Sequence, residues 1–578
     1  MIGFTIPLVL FFGILFFFPA RYAGNDDLTI VGILSGKDGF PPDNFVYFIS
    51  AIMSNLLYFL YKHFPSIPWY GLTIILISYL GVSLVLSVII RCTIKDKISL
   101  VLAIPAFLIF FTYCSFYVTF TTATLLMEFG VLLSLLEWQV REKAPVKHAR
   151  HYGLLLVFCF LLALSLRWKV VLYSLVFGLP SLLFLKKSHV KSFVLMGAII
   201  LLIVAINRSL FWGSTDTPQI EQFAKFNELG AEFYDSIKGD DHGYITQEAL
   251  KKVAWTYDDY LFFRLLWNVY DETAFNYDTL KIFLKENHPL RRGSQHNWKR
   301  FIVEFSYNGG YAYIFILTLL SLLVWRFSTL INLSKQNRVK VLISFCLLLA
   351  ISALLMIIRY RMHVFGPIFG YLICIFLLLS HINEPSAKRM EEFPPVKSFT
   401  VIILVLLFFG EVGACYSTGK QEFRRLANSL SEKNYARKCL QTVKAQYPSL
   451  DFMVIMSPPM PTSLLFETVH PLREFSDFPE LKIFPNGWQV NSPRYFSILQ
   501  EMHLKSGHDF LARVASSKNV LFVLFVRDSK QYRVIKSLWE SYVNRRIMPN
   551  AHLSLTPVYD FRENEHYGLI FYRWTGSY

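Results

Sequence analysis

Two adjacent carboxylates, Asp26 and Asp27, follow an apolar run. Residues 4–19 (FTIPLVLFFGILFFFP) carry no charge, and Asn25-Asp26-Asp27 comes within a turn or two of their end. Carboxylates at a membrane edge can act as a general base or as ligands of a divalent metal. They can also be a solvated loop or a cap ahead of the LTIVGIL segment. Lys37 and Asp38 end the same stretch. Two further clusters carry the opposite sign. Arg167-Trp168-Lys169 and Arg359-Tyr360-Arg361-Met362-His363 each lie between two apolar runs with almost no connector. Arg grips a phosphate through its fork and Lys as a point charge, although snorkelling would place them equally well. Glu128 stands inside the apolar run FTTATLLMEFGVLLSLLEW, where an ionisable group faces a cavity or a partner. Thr119, Thr121, Thr122 and Thr124 make one end of that run polar. Trp255, Asp258 and Asp259 interleave rings with carboxylates in a way that suits a sugar surface or an ordinary amphipathic helix.

These groups need elements to hold them, and composition decides which. The 578 residues are 54% hydrophobic and 17% charged, with 54 Phe, 31 Tyr and 11 Trp. Soluble domains carry about 25% charged residues, so the chain reads as an α-helical polytopic membrane bundle. A span takes roughly 20 apolar residues. Runs of that kind lie near 3–20, 69–90, 98–114, 121–139, 152–166, 169–185, 190–208, 310–327, 339–358, 364–380 and 398–416, about 11 transmembrane helices in all. With the first residue cytoplasmic, seventeen basic residues fall on inside connectors and six on short outside ones. That asymmetry is the positive-inside rule, and it accounts for the net charge of +16 without nucleic acid as a partner.

Residues 43–63 are excluded from the spans, because a crossing there would invert every later loop. They read as a helix lying in the outer interface, within a first external loop over 20–68. A second external loop covers 208–305. Residues 417–578 read as a small extracytoplasmic α/β domain after a transmembrane module over 1–416. Its strands are expected at 451–456, 519–526 and 567–574, with helices at 420–446 and 494–516. The seven cysteines show no metal or disulfide spacing; Cys415 and Cys439 pair only if geometry allows.

The order of these parts resembles the GT-C superfamily of integral-membrane glycosyltransferases. Asn25-Asp26-Asp27 matches the position of that family's acidic motif in the first external loop. Arg167, Lys169, Arg359 and Arg361 match by location and charge. The resemblance implies a sugar donor on a polyprenyl phosphate, with Asp26 or Asp27 as catalytic base or metal ligand. It implies basic residues (Lys37, Arg167, Lys169, Arg359, Arg361 and His363) around the lipid phosphate. The acceptor stays open among a glycan, a lipid and a protein, no cofactor is certain, and a divalent metal fits the family's chemistry. The WWD-type signature of oligosaccharyltransferases is absent. The stretches DGFPPDNFVYF and IPWYG also resemble uncharacterised bacterial multi-pass membrane proteins; that resemblance implies a bacterial plasma membrane, and the bias of basic residues puts the C-terminal part outside.

Other readings compete. A transporter or flippase for a lipid-linked substrate would use Glu128 and the outside cations as a pathway, but no inverted repeat is visible. A glycan polymerase or ligase would use His288, Arg291, Arg292 and His296 in the long loop. A non-enzymatic anchor would rely on 417–578. No Walker loop, GxGxxG, HExxH, GxSxG or CxxC occurs, which argues against nucleotide-driven and Rossmann chemistry. The GDDHGYITQEAL segment fails as a calcium loop because, with Gly243 as the sixth position, the first is Lys238 and the twelfth Ala249.

Overall fold

A computed structural model describes residues 2–17, 20–22, 25–93, 98–99, 101–103, 107, 117–140, 149–178, 197–198, 201–206, 217–236, 245–266, 270–287, 309–331, 335–358, 362–380, 398–456, 470–473, 482–485, 487–526, 529–562 and 568–577. The chain opens with α1 (Ile2–Phe17), the strand β1 (Arg21–Tyr22) and α2 (Asn25–Ser35). Asp26 and Asp27 sit in the first turn of α2, where the helix dipole favours negative charge. Gly36, at a φ of +70°, ends α2 in the left-handed conformation that glycine takes without a side-chain clash. Leu28, Ile30, Val31, Ile33 and Leu34 are all buried, so α2 is a core helix. The interfacial helix expected over 43–63 is shorter than the apolar pattern. It is α3 (Ala51–His63), which starts where the Ser50 hydroxyl accepts the Met53 N–H. Its exposed side carries Leu56 and Phe59.

Four described helices are long and apolar enough to cross a membrane: Trp69–Thr93, Phe120–Trp138, His151–Leu172 and Ile402–Gln421. They lie in α4 (Trp69–Thr93), α5 (Phe120–Val140), α6 (Ala149–Ser174) and a later helix, and qualify by length and composition alone, since Arg167 breaks the third of them. The sequence count of about eleven spans is not met among the described residues. The runs at 98–114 and 190–208 fall mostly outside them. α4 and α5 approach closely at two glycines. A Cβ on Gly81 would lie 2.5 Å from the backbone of Leu126 and Met127, and one on Gly130 would lie 2.8 Å from the Gly81 carbonyl. Gly81→Val is therefore expected to cost about 3 kcal/mol or more. Gly413→Ala, with nothing within 4 Å, is expected to be neutral. Thermal unfolding of the two variants in detergent checks the contrast.

α6 contains a reversal. Arg167 leaves helical geometry, with φ −151° and ψ 77°. Before it, Gly153 lies against Trp138 of α5; at it, Arg167 bonds Thr121; after it, Ser174 bonds Glu128 and Gly178 meets Leu132. Partners on α5 thus descend from 138 to 121 and then climb again. The chain doubles back at Arg167, which is the short connector that the apolar runs 152–166 and 169–185 predict.

The external loop contributes α7 (Thr217–Ser236), α8 (Gln247–Lys252), α9 (Tyr257–Leu266) and α10 (Tyr277–Asn287). Then come α11 (Gly309–Ile331), α12 (Lys335–Ile358), α13 (Met362–Ser380) and α14 (Ser398–Gln446). α14 has 49 residues and runs unbroken past residue 417. At 1.5 Å per residue it is about 73 Å long, more than twice the hydrocarbon thickness. Cys415 and Cys439 both lie on it, roughly 36 Å apart, and cannot form a disulfide.

A four-stranded sheet follows in the order β3 (Phe452–Ile455), β4 (Val520–Val526), β6 (Gly568–Ser577), β5 (His552–Asp560), with β3 and β4 parallel and the rest antiparallel. Between these strands run α15 (Pro493–Glu501), α16 (Gly507–Ser516) and α17 (Ser529–Tyr542). A second pair of strands, β1 with β2 (Tyr117–Val118), joins the starts of α2 and α5 in parallel. The large sheet does not close a core of its own. Met453, Ile455, Leu521, Val523, Leu569 and Phe571 on one face share a cluster with α2, α4, α5 and Val443 of α14. Phe452, Val454, Phe522 and Ile570 on the other share one with Phe233, Trp255, Tyr260 and Phe283 of the external loop. Both faces are covered, which is why these strands read as unbroken apolar runs.

Candidate functional site

Asp27 is fully buried. Its Oδ1 accepts the Tyr70 hydroxyl at 2.8 Å and the Phe120 backbone N–H at 3.1 Å. Phe120 is the first residue of α5, so its N–H has no partner within its own helix. Asp27 caps α5 from 93 residues away, and not α2. Its Oδ2 is buried without a hydrogen bond. Burial is the largest influence on the carboxyl and pushes its pKa up to about 7; the Phe120 N–H and the Tyr70 and Thr119 hydroxyls oppose this, and neighbouring Asp26 adds to it.

The sign of the resulting pH effect follows directly. Below the ordinary value of 3.8, folded and unfolded chains both hold the proton. Between there and about 7 the unfolded chain gives it up while the folded chain keeps it, so stability contributed by the neutral form is lost as pH rises. Each unit is worth about 1.4 kcal/mol. Asp27→Asn keeps the acceptor oxygen and removes the titration. It is expected to match the native protein near pH 4 and to exceed it in stability at pH 7.5. Asp27→Ala removes the acceptor of the Tyr70 hydroxyl and of the Phe120 N–H, at about 1–3 kcal/mol for each buried bond lost. Unfolding midpoints across that pH range measure both.

Asp26 is half-exposed on the neighbouring position of α2. Its Oδ1 accepts the indole N–H of Trp488 at 3.1 Å. The Trp488 ring packs edge-on to Phe48 at 4.8 Å, and Phe48 lies 6.2 Å from Phe120. The Arg167 guanidinium sits over the Phe120 ring at 4.3 Å and 5.8 Å from Phe48, and it donates to the Thr121 hydroxyl. Ser50 donates to the Ser165 carbonyl, fastening the start of α3 to the turn that carries Arg167. One unbroken chain of contacts thus joins Asp26 to Arg167 through three aromatic rings. Lys169 stands beside it, 5.3 Å above the Tyr47 ring and 3.6 Å from Glu228 of α7.

No family model matches the chain, and no curated protein matches it. Among solved structures, the fold is similar to that of ArnT from Cupriavidus metallidurans in the apo state, with a TM-score of 0.40 and 12% identity over 99% of this chain and 97% of that one. It is similar to the same protein bound to undecaprenyl phosphate, with a TM-score of 0.39, 12% identity and the same coverage. The chemistry is argued from the residues of this chain.

Of the residues singled out in the sequence, Asp26 and Arg167 are linked through Trp488 and Phe48, Asp27 meets the backbone of the Phe120 whose ring Arg167 covers, and Lys169 lies two residues beyond Arg167. Lys37 does not: it follows the far end of α2, about 15 Å from Asp26 along the helix. Glu128 lies two turns down α5 from Phe120, about 12 Å away, fully buried and bonded to Ser174. It belongs to the bundle interior. Arg359 and Arg361 lie outside the described residues, and of His363 only the backbone within α13 is described. His288, Arg291, Arg292 and His296 also lie outside them.

Trp255, Asp258 and Asp259 correct the sugar-surface expectation. The Trp255 ring is buried against Phe263, Phe275 and Phe283, and its N–H is spent on the Ala274 carbonyl. Asp258 accepts the Ser541 hydroxyl at 2.9 Å. Asp259, fully buried, pairs with Arg545 at 2.5 Å and Arg546 at 2.9 Å. These residues bind the external loop to the end of α17, and an interleaved pattern became a core with an ionic fastening.

The two acids of the pair face different partners. Asp27 turns inward to Tyr70 and Phe120 while Asp26 meets Trp488, and among the described residues no group of three or more His, Cys, Asp or Glu side chains could hold an ion. The residue that the sequence reading missed is Trp488. It lies 462 positions from Asp26 in a short turn after Gly487, with no local pattern to mark it.

Proposed function

We propose that this protein is a membrane glycosyltransferase that moves a sugar from a polyprenyl-phosphate-linked donor to a hydroxyl-bearing glycan, lipid or protein. The observation that carries this is the accessible Asp26 carboxylate linked through Trp488, Phe48 and Phe120 to the stacked Arg167 guanidinium. Both groups lie where α5 and the two arms of α6 meet the first external loop, at the ends of apolar helices. A lipid phosphate is anchored at that depth. Asp26 is the base in this reading: a base must touch its proton, and Asp26 is half-buried while Asp27 is fully buried.

The chemistry is a single displacement. Asp26 takes the proton of the acceptor hydroxyl, and the acceptor oxygen attacks the anomeric carbon. The bond from that carbon to the phosphate oxygen breaks, and its electron pair leaves with the polyprenyl phosphate. Arg167, with Lys169 at its side, opposes the charge gained by the phosphate. Inversion at the anomeric centre follows. The site would face the extracytoplasmic side of a bacterial plasma membrane, in cell-envelope glycan modification, with the N-terminus inside. Purified protein in vesicles with a polyprenyl-phosphate sugar tests it: free polyprenyl phosphate should appear in step with an inverted glycoside. A product of retained configuration rejects the single displacement, and full transfer by an Asp26→Asn, Asp27→Asn double variant rejects the first-loop site.

A further inference from the structure

The C-terminal segment touches the first external loop at a series of points. Asp38 accepts two bonds from Arg494 at 2.6 and 2.9 Å, and the Asp38 carbonyl accepts the Ile483 N–H at 3.1 Å. Arg494 also donates to the Pro41 carbonyl at 3.0 Å. Gly39, at a φ of +88°, passes so close to Lys482 that a Cβ would lie 2.4 Å from its side chain. Gly71 passes equally tightly beside the Pro471 carbonyl. Trp488 stands in the middle of this contact. A turn after Gly487 (φ +57°) delivers it, the Ser492 hydroxyl caps the next helix, and Phe48 fixes its ring.

We propose that Trp488 is a positioning residue: its indole N–H fixes the Asp26 carboxylate for proton transfer, so that the C-terminal segment completes a site whose Asp26, Arg167 and Lys169 come from the first part of the chain. The inference rests on the glycosyltransferase reading for its consequence, though not for its contact. A carboxylate bound at Oδ1 by a donor that is itself held by a ring stack is restricted in its orientation. An N–H bond to a carboxylate favours its charged form, the form that a base requires. Trp488 never exchanges a proton with substrate and acts only through Asp26.

Trp488→Phe removes the N–H and keeps a ring against Phe48. It is expected to lower kcat about 10- to 100-fold, the effect of one hydrogen bond to a charged group, with KM for the donor within about 2-fold. The acid limb of the kcat profile should move to higher pH. In an Asp26→Asn background the same substitution should change the residual rate by less than about 2-fold, because two groups acting as a unit do not multiply. An unaltered kcat in Trp488→Phe, or multiplicative losses in the double variant, overturns the proposal. Hydrogen exchange separates this from failure of the glycosyltransferase reading. Faster exchange across residues 26–48 in Trp488→Phe supports the positioning contact even if no transfer is found, and unchanged exchange there overturns it. Phe48→Leu, which loosens the ring and spares the N–H, is expected to give a smaller loss of the same kind and serves if Trp488→Phe does not fold.

Discussion

Asp26→Asn is expected to reduce sugar transfer by about 10²- to 10⁴-fold, the range that general-base catalysis supplies. The substitution keeps the shape of the side chain and an oxygen to accept the Trp488 N–H. What it removes is the capacity to take a proton, so kcat should fall while donor affinity holds. Thermal stability should change far less than rate, because Asp26 is half-buried on the first turn of α2, where its favourable interaction with the helix dipole is worth about 0.3–1 kcal/mol. The neighbouring substitution behaves in the opposite way. Asp27→Asn acts on a buried group bonded to Tyr70 and Phe120, so its effect is read in stability and its pH dependence before it is read in rate. Parallel transfer assays and unfolding curves on the two variants separate the roles. A full rate in Asp26→Asn excludes it as the base.

Arg494→Ala is expected to destabilise the folded protein by about 3–5 kcal/mol, since it leaves a buried carboxylate without its counter-charge. Arg494 is 4% exposed and Asp38 14%. Burial already holds the Asp38 carboxyl above its usual range, and Arg494, by charge and by hydrogen bond, pulls it back. Without the guanidinium the raised pKa rises further. The folded state is then penalised wherever the unfolded chain ionises, so the deficit should shrink as pH falls toward the ordinary carboxylate value of 3.8. Asp38→Asn combined with Arg494→Met should recover much of the loss, because neither side chain then carries a buried charge. Transfer should also fall in Arg494→Ala, although Asp26, Trp488 and Arg167 are intact, since the loop that carries Asp26 is released from the C-terminal segment. An unfolding midpoint within a degree of the native protein would show that this pair fastens nothing.

The parts of the structure set by local pattern were legible, and those set by distant contacts were not. Apolar runs mark α4 and α5, and those at 451–456, 519–526 and 567–574 sit on β3, β4 and β6. β5 was missed because HLSLTPVYD alternates in exposure and contains Pro557, a feature of an edge strand. The helical pattern over 494–516 breaks at Met502–Ser506, where His503 takes a positive φ and Ser506 caps α16. The acids were found as a motif, but sequence could not say that one faces inward and the other outward, because that depends on Phe120 and Trp488. Arg167 was found through the shortness of its connector. Trp255 was misjudged because ring-and-acid interleaving looks the same on a binding surface and in a core whose carboxylates meet arginines elsewhere in the chain.

The joining of Asp26 to Trp488 has a consequence for how the protein comes into being. During synthesis the acidic loop leaves the ribosome first, and the indole and Arg494 emerge more than 450 residues later. At about 5–20 residues per second that interval is tens of seconds. Through all of it Asp38 has no Arg494 and Asp26 no Trp488, while the spans are already being threaded. A nascent or truncated chain would therefore hold every charged group of the first site without the geometry to use them. Competence would arrive as one late event, when the sheet docks onto α14 and closes over the loop.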